Sequence, residues 1–155
     1  MTPDRQPATL SDLLQSQLDC TAQLNETLQA EHRALLSNDV SSLEMITRTK
    51  AEASDRLAGL GKQIEFLRQQ HGGLKLEALT AQLDGSGVAS KIWQQTATLA
   101  EQCLKANNDN AALLNAREHQ IRSALQLIYP AIGTPTYGRS GHDDLQGGSR
   151  SFGSA

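Results

Sequence analysis

Chemistry in this chain would have to rest on four histidines, two cysteines and a few glycine pairs. A metal site on a helix needs His or carboxylate pairs one turn apart, and His32, His71, His119 and His142 form no HxxxH and no Glu-x-x-His. Glu31-His32 and Glu118-His119 are adjacent pairs that point to different helix faces, so these histidines are expected on the solvated surface. Gly85-Ser86-Gly87 is not a GxSxG elbow, and no strand precedes it to present a nucleophile. A phosphate loop fails twice at Gly61-Lys62, where Gln63 follows the lysine and Arg56 occupies the first glycine position. Cys20 and Cys103 form no CxxC and sit in apolar helical patterns, which suits two reduced, part-buried thiols. The residues thus predict no catalytic centre, no metal and no cofactor.

The elements around them read as helices. Only Phe66, Trp93, Tyr129, Tyr137 and Phe152 are aromatic, so a core must be built from Leu, Ile and Ala, which favours helices over sheets. Thr9 and Asp12 resemble a capping box after Pro7. Leu10, Leu14, Gln17, Thr21, Leu24, Leu28, Glu31 and Leu35 then follow a three-four spacing. Ser37-Asn38-Asp39 breaks that pattern, and Ser41 with Glu44 offers a second capping box. Leu43, Ile46, Lys50, Ala53, Leu57, Leu60, Ile64 and Leu67 continue the spacing until His71-Gly72-Gly73, so two long helices return on one another. After a short crossover closed by Asp84-Gly85-Ser86-Gly87, Ile92, Leu99, Ala106 and Leu113 share one heptad register in a longer helix that Pro130 ends.

The spacing therefore predicts an all-α fold: an antiparallel long-helix hairpin plus a longer third helix, a three- to four-helix, coiled-coil-like bundle with a disordered C-terminal tail. Its expected bounds are a flexible N-terminus over 1–8 and a helical bundle domain over 9–132, with helices at about 9–37, 40–71, 74–83 and 88–129. The glycine-punctuated segment 133–155 is too poor in apolar residues to fold alone.

A formal net charge of −3 with both signs interspersed provides no concentrated basic surface for nucleic acid. The first residues carry no positive-then-apolar leader, no stretch approaches the ~18 apolar residues of a bilayer span, and the helix faces are not predominantly cationic. A cytoplasmic protein with no stable membrane insertion is expected.

Two short motifs occur in order. Asn107-Asn108-Asp109-Asn110-Ala111-Ala112-Leu113-Leu114 resembles the asparagine-rich N-x-x-N and apolar pair of the FlgN family, with Asn107 and Asn110 as the matching asparagines. Thr136-Tyr137-Gly138-Arg139-Ser140-Gly141 resembles the Tyr-Gly-x-x-Gly element of that family just beyond its last helix. Ala111 stands where such sequences often carry Gly, which favours an unbroken helix.

The resemblance implies a cytosolic flagellar type III export chaperone for the hook-associated proteins FlgK and FlgL, keeping their assembly-prone C-terminal segments unpolymerised before export. An uncovered apolar helix face suits an amphipathic client helix. Client contact is expected at Asn107, Asn110, Leu113, Leu114, Ile121, Leu125 and Ile128, although the five apolar residues equally suit closure of the bundle, and the asparagines could bond a client or a neighbouring helix or form an exposed polar stripe. By the same resemblance Tyr137, with Gly138 and Gly141, would dock the complex on the cytoplasmic domain of the export gate protein FlhA. The rival reading is a structural coiled-coil protein acting by self-association, and a homodimer is open to either.

Overall fold

The structure is a computed structural model and describes residues 8–128. These form four helices and no strand: α1 (Leu10–Ser37), α2 (Val40–Gln70), α3 (Leu76–Leu83) and α4 (Val88–Ile128). The expected tail at 133–155 and most of the expected flexible N-terminus lie outside the described residues. Two compact units divide at His119, the bundle up to that residue and the segment from Gln120 onward.

The capping box at Thr9 and Asp12 forms in both directions, the Asp12 N–H donating to Thr9 Oγ1 and the Thr9 N–H to Asp12 Oδ2. Asn38 stops α1 in the left-handed region at φ 60°, its N–H donating to the Ala34 carbonyl. The expected Ser41–Glu44 box is corrected here. Asp39 is the N-cap of α2, accepting from the Ser42 N–H at 3.1 Å and the Ser41 hydroxyl at 2.9 Å. A cap two residues earlier leaves a tighter turn, and the Asp39 carboxylate, with two acceptor oxygens, takes both the Ser42 N–H and the Ser41 hydroxyl. At its other end α2 closes over Gly72 and Gly73, both at positive φ, and the Arg68 guanidinium donates to the Leu74 carbonyl.

α1 is the central helix, with a stripe on each side. Leu13, Cys20, Thr27 and Ala34, seven apart, are buried on the flank where the Cys20 thiol donates to the Ala53 carbonyl of α2. Small residues at this contact let α1 and α2 approach closely. Lys50 reaches Glu31 near the turn and Arg56 reaches Gln23 further away, so the pair is antiparallel.

Leu14, Thr21, Leu28 and Leu35 form the second buried stripe, and it meets α4. The Cys103 thiol donates to the Thr21 carbonyl and the Asn110 amide to the Leu28 carbonyl, each across 82 residues. A constant offset means α1 and α4 run parallel, in the manner of a two-stranded coiled coil. The buried stripe of α4 is Ala89, Thr96, Cys103 and Asn110. In the expected register Ile92 is buried while Leu99, Ala106 and Leu113 are half-buried beside that stripe. The apolar core gathers at the end where α3 caps the bundle: Leu10, Leu13, Leu14, Ile64, Leu79, Ala89 and Ile92.

Asp12, Asp39 and Asp84 all hold helix starts. Their carboxyls lie below the ordinary 3.8, chiefly through hydrogen bonds from the side chains of Thr9, Ser42 and Ser86 respectively. A depressed folded-state value stabilises the fold above the unfolded value and is lost as pH falls through the folded one. Thermal unfolding followed from pH 6 down to about 2.5 should thus show Tm falling below about pH 4. Asp39→Asn/Asp84→Asn, which keeps capping groups but removes two titrations, should flatten that fall; an unchanged slope would place the acid sensitivity elsewhere.

Candidate functional site

Among the described residues no three His, Cys, Asp or Glu side chains gather as a metal site, and no helix is long and apolar enough to cross a membrane. Cys20 and Cys103 are free, buried thiols, and burial pushes the Cys103 thiol up from its ordinary value. The features that remain are a polar cluster inside the bundle and an apolar stripe outside it.

The cluster centres on Asn110, only 3 % exposed. Its amide nitrogen donates to the Leu28 carbonyl at 2.9 Å and to Glu31 Oε2 at 2.8 Å. Both are acceptors, which fixes the amide orientation and turns Oδ1 toward His32 Nδ1 at 2.9 Å. His32 must therefore carry its proton on Nδ1 and donate it. Glu31 in turn accepts from Lys50 of α2 at 3.1 Å. Side chains from α1, α2 and α4 thus satisfy one another where a leucine core would otherwise sit. His32, expected on the solvated surface, is instead half-buried and bonded. Nothing in its spacing reveals this, because its partner lies 78 residues away.

Two turns beyond Asn110, Arg117 donates to the Asn38 side chain at 2.9 Å and reaches the Leu36 carbonyl at the end of α1. On a 3.6-residue helix Asn110, Leu114, Arg117, Ile121, Leu125 and Ile128 lie within about 80° of one another, a single stripe. Its character changes along its length. Where α1 covers the stripe it carries Ala89, Thr96, Cys103 and Asn110, all small or polar, with Arg117 half-buried at the edge; the large apolar residues Leu114, Ile121, Leu125 and Ile128 are 47, 62, 51 and 65 % exposed. Small or polar side chains buried and large apolar ones exposed on one face reverse the usual order.

Of the expected client-contact residues, Leu114, Ile121, Leu125 and Ile128 are exposed, Asn107 and Leu113 are half-buried, and Asn110 is enclosed by its own bundle. Leu127, at 85 %, adds an exposed apolar side chain about 100° round the helix from Ile128, which the three-four spacing passes over. Tyr137, Gly138 and Gly141 lie outside the described residues.

A family model described as FlgN protein matches residues 1–144, which takes in both motifs and all four helices. Neither a curated protein nor a solved structure matches the chain. Matched over nearly its whole length, the chain belongs to the FlgN family, chaperones of flagellum assembly and type III export rather than enzymes.

Proposed function

We propose that this protein is a cytoplasmic export chaperone that binds the C-terminal segments of the hook-associated proteins FlgK and FlgL through the apolar stripe of α4 and delivers them to the export gate. The observation that carries this reading is that contrast: the large apolar Leu114, Ile121, Leu125 and Ile128 stay exposed on the stripe whose buried part is made of Ala89, Thr96, Cys103 and Asn110. An amphipathic client segment laid on them would supply apolar side chains three and four residues apart. Leu113 and Asn107 would border that contact. Asn110, its hydrogen bonds already made, would serve it from inside the bundle.

Such a complex prevents assembly without chemistry, by covering the client segment until handover. Delivery is assigned to Tyr137, with Gly138 and Gly141, docking on the cytoplasmic domain of FlhA. An aromatic anchor that must be ordered on binding gives a weak, reversible contact, which suits transfer.

Calorimetry of the full chain with the purified C-terminal segments of hook-associated proteins tests the first step. Saturable one-to-one binding is expected; no binding, with the chain dimeric in solution, would turn the reading to self-association through the same stripe. For the second step, Tyr137→Ala should weaken binding of the chaperone–client complex to the FlhA cytoplasmic domain at least tenfold, about 1.4 kcal/mol. Its Tm and client affinity should be unchanged. Equal gate affinity in mutant and wild type would remove Tyr137 from that role.

A further inference from the structure

We infer that Asn110 is a register pin for the parallel α1–α4 pair, holding the one alignment that leaves the apolar end of α4 uncovered. The two buried stripes in this contact both repeat every seven residues: Leu14, Thr21, Leu28 and Leu35 on α1, and Ala89, Thr96, Cys103 and Asn110 on α4. Sliding α4 by one heptad, about 10 Å of rise, would set buried position against buried position again. Ala89, Thr96 and Cys103 are similar in size, so packing separates such alignments poorly.

Apolar burial would even favour one slip. Drawing α4 toward its own N-terminus by seven residues would bring the stripe positions after Arg117 level with the end of α1, at the cost of contacts made by Ala89 and Ile92 at the α3 end. The polar groups oppose it. In the observed alignment Asn110 makes three hydrogen bonds, to the Leu28 carbonyl, Glu31 and His32, and Arg117 holds the end of α1. After the slip Arg117 would stand near Glu31, Asn110 would lose both side-chain partners, and Asn38 would lose Arg117. A single buried polar residue that costs stability yet selects one alignment is a known device of parallel coiled coils. Here it keeps the four exposed apolar side chains available, a consequence that rests on the client-binding reading, whereas the pin itself does not.

Spin-label distances in the full chain test this without any client. Labels at Gln15→Cys on α1 and Asn108→Cys on α4, both exposed, are placed in a Cys20→Ala/Cys103→Ala background. With Asn at 110 a single distance is expected. Asn110→Leu should add a second, shorter distance, displaced by up to about 10 Å, while Tm is kept or raised. Asn110→Ala, which cannot overpack, should show the same second distance with a lower Tm. Thr96→Val removes a buried hydroxyl bonded only to the Ile92 carbonyl of its own helix, and should keep the single distance. One unchanged distance in both Asn110 variants would overturn the pin, as would two distances in Thr96→Val, since the seam would then loosen wherever it is altered.

Discussion

Ile121→Asp/Leu125→Asp should abolish measurable client binding while leaving the circular dichroism spectrum and Tm where they are in the wild type. Full burial of such a side chain is worth about 1.5–3 kcal/mol, and these two begin more than half exposed, so each brings about 1–2 kcal/mol to a complex. Aspartate removes that gain and adds the cost of drying a carboxylate against an apolar client. Together the loss is about 3–5 kcal/mol, or roughly a hundred- to several-thousand-fold in Kd. Among the described residues both are more than half exposed and lie beyond Arg117, the last residue of α4 bonded to α1, so the bundle should not depend on them. Calorimetry with the FlgK and FlgL C-terminal segments reads the effect. Wild-type affinity in this variant would move the client site off the α4 stripe.

Leu28→Ala should do the opposite. Leu28 is 1 % exposed, and its stripe on α1 meets α4 where the Asn110 amide bonds the Leu28 carbonyl. Removing three carbons there loses transfer energy and leaves a cavity beside polar groups that cannot collapse into it, a loss of about 2–5 kcal/mol. For a bundle of this size that lowers Tm by roughly 10 °C or more. Client affinity, measured well below the transition where the protein is folded, should stay within about twofold, because no client-facing residue changes. If Leu28→Ala weakened client binding as much as the double aspartate, bundle and binding face would not be separable.

Large apolar residues and their spacing made much of this legible. The leucines at 10, 14, 28 and 35 announce α1, and the Thr9–Asp12 box and the break at Asn38 mark its ends. The family emerged from two short motifs, one of them around Asn110. What spacing concealed is the contact between α1 and α4. Its buried stripe on α4 is Ala89, Thr96, Cys103 and Asn110, small or polar residues that give a weak apolar period, and of the expected Ile92–Leu99–Ala106–Leu113 register only Ile92 is fully buried. The role of Asn110 was equally hidden, because its partners Glu31 and His32 are remote in sequence. The apolar residues of α4 are legible as side chains on a helix longer than the two before it, but their spacing suits bundle core and exposed face equally.

The parallel pairing of the first and last helices also orders the folding process. α1 and α2 meet across the turn at Asn38–Asp39 and can zip together as a local hairpin, but α1 and α4 join residues 78 to 82 apart. That long closure must be made before the seam rewards it, so docking of α4 is the slow step and gives this helical protein an unusually non-local route. On a chain emerging from the ribosome, the hairpin is complete while α4 is still being made. The surface that would receive a client is thus the last part of the described fold to be synthesised, and it appears beside a hairpin already in place.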